Sequence, residues 1–152
     1  MGDAWKKDRI GAIERGENPM VMAKMKSGYA VIGDTQFLPG YSVLLAYPKV
    51  HALEDLPIAA RIQFLEDMAL LGQAVQDVCC PRRINYAIYG NTEEFLHAHV
   101  FPRYEWEPEE RRKRPVWQYP IEMWRMQTTR YVDALHREMR ERISQRLREL
   151  MR

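Results

Sequence analysis

Two histidines, His97 and His99, stand one residue apart in the run FLHAHVFPR, residues 95–103. Side chains alternate along a strand, so Phe95, His97, His99 and Phe101 share one face, and Leu96, Ala98 and Val100 share the other. The second face is apolar throughout and reads as core. Residues two apart on a strand are separated by roughly 6.5 to 7 Å, close enough for two imidazoles to converge on one phosphate-sized group. Imidazole with an ordinary pKa of about 6.5 is substantially neutral at pH 7 and offers a nucleophilic nitrogen. Its other nitrogen can donate a hydrogen bond to a phosphoryl oxygen. A histidine nucleophile splits phosphoanhydride cleavage into two displacements. Two other uses of the pair compete. A His-x-His strand can ligate metal, with Glu93, Glu94 or Glu105 nearest as a third ligand, but none lies at a recognised spacing. For an arbitrary pair, filling a half-buried sheet face is the commoner role.

The elements that must position this strand are legible in outline. Ile10 and Ile13 among charges predict an amphipathic helix over residues 4–15. The runs MVMAKM and YAVIGD, split by KSG, predict a hairpin. A turn at residues 39–41 leads into SVLLAYP at 42–48, nearly continuous in apolar residues and so a central strand. Asp55 is placed to cap a helix with Pro57 in its early turn. From Ile58 to about Val78, the spacing of Ile62, Leu65, Met68, Ala69, Gly72 and Val75 predicts the main core helix. Two alternating runs, INYAIYGN and the histidine strand, follow. Helix, three strands, long helix, two strands is an α+β order without βαβ repetition, so a mostly antiparallel sheet is expected.

Residues 104–119 are dominated by charge, with Trp106 and Trp117 expected to anchor a solvated loop to the body. From Ile121 onward the chain reads as helical. Tyr131, Leu135, Met139, Ile143, Leu147 and Leu150 form its apolar stripe, to be laid on the chain's own body or on a second subunit. Seven arginines between Arg130 and Arg152 face only four acids. The acids are interleaved, so a nucleic-acid arm is the lesser expectation.

The 152 residues suffice for one real core. A net charge of +2 gives no global pull toward nucleic acid or membrane. No apolar run approaches a membrane span, and the N-terminal stretch lacks the apolar core of a signal peptide, so a cytoplasmic protein is expected. Lys6 stands where a myristoylation signal wants Ser or Thr. The adjacent Cys79 and Cys80 read as reduced thiols near a helix end.

The segment GNTEEFLHAHVFPRY resembles the signature of the histidine triad superfamily, His-x-His-x-His with apolar residues between, followed by Pro-Arg. Upstream, VIGDTQFLPGYSVLLAYPKVHALEDL resembles the superfamily's other landmark: an acidic strand end, a turn, an apolar strand and Pro-Lys near a histidine. The likeness runs from about residue 17 to 104. Its form is similar to bacterial proteins described as histidine-triad-like or diadenosine polyphosphate hydrolases.

The resemblance implies a sheet of about five strands with a long core helix, an N-terminal helix and a C-terminal helical extension. Residues 1–104 would be the histidine-triad-like domain. Residues 105–152 would be a charged loop and an amphipathic helix packed on that domain or on a dimer partner. By resemblance, His97 is the nucleophile that forms a covalent nucleotidyl-histidine, and His99 steadies charge on the phosphate. Asn91 matches a phosphate-contacting position and Asp34 the residue that holds ribose hydroxyls. Lys49 and His51 fall in the Pro-Lys-His neighbourhood, which implies either a structural or a phosphate-proximal role and ranks below the strand residues. The implied activity is nucleotide hydrolysis or nucleotidyl transfer on a phosphoanhydride or phosphoramidate, such as a dinucleoside polyphosphate, by a homodimer. No resident metal or cofactor is required, although magnesium can accompany a polyphosphate substrate.

Two departures stand out. Phe95 occupies the first triad position, and Tyr41 replaces the histidine of a Gly-His step. Tyr41 can still donate a hydrogen bond, whereas Phe95 cannot and would supply an apolar wall or stack on the substrate's base. These leave open a non-catalytic nucleotide-binding protein on the same fold.

Overall fold

The alternating runs assemble into one antiparallel sheet. The computed structural model describes residues 2–152. After a short 3₁₀ turn over Ala4–Asp8, α1 covers Arg9–Glu14. Strands β1 (Val21–Lys24), β2 (Gly28–Ile32) and β3 (Ser42–Ala46) follow, then α2 (Ile58–Cys79). Strands β4 (Arg83–Ala87) and β5 (His97–Arg103) complete the sheet in the order β1-β2-β3-β5-β4. All pairings are antiparallel, and the five-stranded α+β architecture is the expected one. Every residue of β3 is buried, as its unbroken apolar run implies for a strand covered on both faces.

The main helix buries the expected Gly72 and Val75, but in its first half a different stripe from the expected one. Phe64, Leu71, Ala74 and Val75 are fully buried, whereas Ile58, Ile62 and Leu65 remain 63%, 61% and 38% exposed. The cause is Asp67, a carboxylate on the inward face. It accepts hydrogen bonds from Ser27 N–H (2.8 Å), the Ser27 hydroxyl (2.6 Å) and the Gln63 amide (2.9 Å). Those bonds pin the β1–β2 turn to α2 and satisfy a charge that apolar counting places outside. Asp55 does not cap α2. Its carboxylate accepts from Ala52 N–H within a separate 3₁₀ turn, and Pro57 takes the N-cap position. The helix ends at Cys80, in the left-handed region at φ 49°, before Pro81, which cannot continue it. Both cysteines are free.

Beyond β5 the chain forms α3 (Glu109–Arg112), a 3₁₀ turn (Val116–Gln118), α4 (Ile121–Arg125) and α5 (Asp133–Leu150). The helix expected from Ile121 to the end is therefore broken. Residues between α4 and α5 instead run beside the β2–β3 loop, where Gln36 N–H donates to Thr129 O and Tyr131 N–H to Asp34 O. Helix α5 lies on α2 and β1, with Ile143 and Leu147 fully buried. Leu135, at the head of the expected stripe, is 73% exposed, because α5 has only just begun there. The Ser144 hydroxyl and the Arg148 guanidinium donate to the Met22 carbonyl, covering the free edge of β1. Arg137, Arg140 and Arg146 are paired with Glu141, Asp133 and Asp77 respectively. No helix among the described residues is long and apolar enough to cross a membrane.

Candidate active site

The histidine strand sits between β3 and β4, with His97 opposite Leu45, and His99 opposite Val43 on one side and Ala87 on the other. Leu96, Ala98 and Val100 are buried, as expected of the core face. Phe95, His97, His99 and Phe101 form a continuous row on the other face, with adjacent ring centroids 4.9, 4.9 and 5.6 Å apart. His97 is 8% exposed, and its Nδ1 lies 2.7 Å from the Phe95 carbonyl oxygen. A carbonyl can only accept, so in this bond Nδ1 carries the proton, and in the neutral ring Nε2 holds the lone pair.

Tyr41 lies beneath the second imidazole, its hydroxyl 2.7 Å from His99 Nδ1. Its ring stacks on Phe101 at 4.4 Å and 11°. Burial, reinforced by the negative charge of Asp34, pushes the Tyr41 hydroxyl well above the ordinary tyrosine range, so it keeps its proton. When that hydroxyl donates to Nδ1, the single proton of neutral His99 resides on Nε2. Burial first, and the neighbouring His97 second, lower His99 to about 4. At pH 7 His99 is therefore a neutral hydrogen-bonding group.

The β2–β3 loop delivers Tyr41. The buried Gln36 amide donates to the Gly33 and Tyr41 carbonyls, while its oxygen accepts from Gly40 N–H, at 2.9 to 3.0 Å. Gly40, at φ +100°, makes the turn that side-chain-bearing residues resist. Gly33 leaves room for the tyrosine, since a Cβ there would sit 2.3 Å from its ring.

His97 and His99 open onto a cavity of about 600 Å³ shared with Tyr89, Gly90, Asn91, Thr92, Glu93 and Trp117. Asn91 thus comes together with both histidines. Phe95 is 9% exposed against His97 and lines not the histidine cavity but an adjoining one, and the Lys49 ammonium, which lines neither, stands 5.0 Å over the Phe95 ring. His51 lies in an adjoining cavity that also touches His97. Asp34 does not line the histidine cavity. Both of its oxygens are engaged by Arg9 of α1, at 3.1 and 2.7 Å.

Trp117 is the principal neighbour that strand logic misses. It meets His99 edge-on at 5.1 Å, stacks on Trp124 at 4.8 Å and abuts Tyr89 at 5.5 Å. Trp106, by contrast, is 62% exposed and stacks only on Tyr104, so it does not anchor the loop as expected. The anchor is a buried pair, Arg103 and Glu107, with side chains 4% and 0% exposed. Arg103 also donates to Asn85 and to the carbonyls of Arg111 and Arg114, while Glu107 accepts from the Tyr119 hydroxyl. Arg103, the last residue of β5, and Glu107 stand four residues apart, a spacing that by itself does not say that either is buried. Among the described residues no cluster of three His, Cys, Asp or Glu side chains could hold a metal ion.

No protein-family model matches the chain. Among curated proteins it is similar to an AP-4-A phosphorylase of Mycobacterium tuberculosis, 28% identical over 94 residues, 58% of this chain and 48% of that protein. The chain thus spans about half the length of the curated relatives it matches. A histidine triad protein of Sinorhizobium meliloti superposes with a TM-score of 0.70 at 18% identity, over 88% of this chain and 93% of that one. A hypothetical histidine triad nucleotide-binding protein of Sulfolobus tokodaii gives 0.70 at 11% identity, over 93% and 91%. The diadenosine triphosphate hydrolase of Plasmodium falciparum gives 0.55 at 18% identity, over 86% and 77%. These likenesses show the architecture that the His97-Ala98-His99 strand implied: the chain has the histidine triad fold.

Proposed function

We propose that the protein cleaves a nucleoside phosphoanhydride or phosphoramidate, a dinucleoside polyphosphate for example, through a covalent nucleotidyl-histidine at His97. The observation that carries this reading is the His97 Nδ1 contact with the Phe95 carbonyl, which fixes the proton on Nδ1 and leaves the Nε2 lone pair free. In the first displacement Nε2 attacks the α-phosphorus, and the bond to the leaving group breaks with its electron pair. In the second, water or another acceptor attacks the same phosphorus, and the N–P bond breaks to restore His97. His99, neutral at pH 7, steadies the phosphoryl oxygens by hydrogen bonding rather than by charge. Asn91 contributes from the cavity wall, and the Lys49 ammonium stands over the Phe95 ring. Asp34 can receive ribose hydroxyls once Arg9 yields one carboxylate oxygen. Magnesium, where used, would arrive with the polyphosphate substrate and help neutralise its charge. The names borne by similar proteins, AP-4-A phosphorylase and diadenosine triphosphate hydrolase, agree in substrate class.

The test is hydrolysis of diadenosine polyphosphates, adenosine phosphoramidate and nucleotide sugars by wild type and His97→Gln. Turnover should be present in the first and lost in the second; unchanged turnover in the variant would end the proposal. Phe95 favours one alternative, a nucleotide-binding protein without turnover, since the first triad position has no donor. That alternative predicts nucleotide binding with no hydrolysis of any panel member.

We also propose a homodimer, built on the exposed apolar stripe of α2. Ile58, Ile62 and Leu65 run toward Tyr86, whose ring covers Gly72. Light scattering should report a dimer that Ile62→Glu dissociates.

A further inference from the structure

A second cavity, of about 690 Å³, adjoins the histidine cavity and differs from it in charge. Its floor is the site face of β4. Ala87 lies opposite His99 and Arg83 opposite Arg103, so the floor starts one strand away from the second imidazole. Four residues of strand carry it about 13 Å along the sheet. Its far wall is the segment held down by the Arg103–Glu107 pair. Arg82, Arg83, Arg112, Lys113 and Arg114 line the groove, and no carboxylate does. Glu105 partly neutralises Arg82 and Arg112, and Glu109 pairs with Lys113. Arg83 and Arg114 have no ion-pair partner among the described residues, and both are exposed. The two cavities share Tyr89 and Trp117, an edge-to-face pair 5.5 Å apart that stands where one space opens into the other.

We propose that this groove is the subsite for an oligophosphate leaving group, with Arg83 and Arg114 selecting substrates that carry two or more phosphates beyond the scissile bond. The chemistry demands such a place. Attack by His97 expels an anion whose charge grows as the P–O bond breaks, yet His99 is neutral and Phe95 is apolar. The histidine cavity therefore stabilises little negative charge, and the continuous cationic groove is where a departing phosphate chain is held. Guanidinium groups suit it because they bind phosphate oxygens in pairs. A phosphoramidate whose leaving group is a simple amine would leave the groove empty.

Assigning the groove to a leaving group rests on the reading of His97 given above, so its test includes a measurement without turnover. Calorimetry with inorganic tripolyphosphate would compare wild type, Arg83→Ala/Arg114→Ala, and Arg137→Ala on α5. The double variant should bind at least about tenfold more weakly, the loss of charge-assisted hydrogen bonds. Arg137→Ala should match wild type. Absence of binding to wild type, equal affinity in the double variant, or equal weakening by Arg137→Ala would each overturn the groove. With substrates, the ratio of kcat/KM for diadenosine tetraphosphate over adenosine phosphoramidate should fall at least about tenfold in the double variant. An unchanged ratio would overturn the selection of leaving group. Tripolyphosphate binding without turnover of any substrate would uphold an oligophosphate site while removing the histidine chemistry.

Discussion

Acidification should destabilise the protein through His99, by an amount the site geometry sets. In the unfolded chain a histidine titrates near 6.5, whereas burial beside His97 lowers the folded value to about 4. Between these values the unfolded state binds the proton and the folded state does not, so stability falls as pH drops from 6.5 toward 4. The contribution is fully present above the unfolded value and exhausted below the folded one. A shift of about 2.5 units corresponds to about 3.4 kcal/mol, reduced to about 2–3 kcal/mol because His99 keeps some solvent contact. At pH 5 about 1–2 kcal/mol should already be lost, or about 2–8 °C in Tm for a domain of this size. Urea unfolding of wild type and His99→Gln at pH 7, 6 and 5 isolates the effect, since glutamine does not titrate and the other acids are common to both. The wild-type curve should descend more steeply over that window. Parallel curves, or a His99 imidazole seen by NMR to titrate near 6.5, would refute the argument that burial holds this ring neutral.

Gly33→Ala should displace the Tyr41 ring, because the new Cβ would lie 2.3 Å from it and Phe101 blocks retreat. The expected cost is about 1–3 kcal/mol in urea unfolding, accompanied by slower turnover as His99 loses its hydroxyl partner. Glu107→Gln should be worse. Although burial opposes it, hydrogen bonds from Arg103 and Tyr119 hold the Glu107 carboxyl below the usual range, and the variant strands Arg103 as an unpaired buried charge. A loss of about 3–5 kcal/mol is expected, with faster proteolysis between residues 104 and 119 as the segment carrying Trp117 lifts. Asp67→Ala should cost about 1–3 kcal/mol per stranded partner group, read as a lower urea midpoint, because Ser27 loses its acceptor.

The sheet was legible because its signals are local. Alternation in residues 97–103 fixes which side chains share a face, and the unbroken run at 42–48 demands a strand covered on both sides. The helix stripe was not, because the sequence gives apolar residues on two faces of α2 and an aspartate on the inner one. Only the Ser27 turn, forty residues away, tells Asp67 where to point. Arg103 and Glu107 were hidden for the same reason: their burial depends on carbonyls at Arg111 and Arg114 that no spacing rule connects to them. Strand register and motif single out the histidine row, Tyr41, Phe95 and Asn91, and the structure sets His97, His99 and Asn91 on one cavity, with Tyr41 beneath His99 and Lys49 over Phe95. The engagement of Asp34 by Arg9 depends on a segment distant in sequence and leaves no local trace, whereas Trp117 is expected from sequence to anchor its loop but its seat against His99 is not.

Phe95 and Tyr41 change the electrostatics of the strand together rather than separately. A histidine at position 95 would add a hydrogen-bonding group; a phenylalanine there instead removes water and gives the Lys49 ammonium a ring face to rest on. A tyrosine at position 41 holds His99 by a hydroxyl that keeps its proton, so the second imidazole is oriented without being charged. Both substitutions exchange titratable nitrogen for groups that stay neutral near pH 7. The positive charge around the histidines stands apart from them, at Lys49 over Phe95 and at the arginines along β4. On the proposed chemistry, a site organised in this way would discriminate by what the substrate carries away from the reacting phosphorus. Its selectivity should accordingly respond to salt more strongly for long oligophosphate leaving groups than for short ones, since exposed charges are the ones that salt screens.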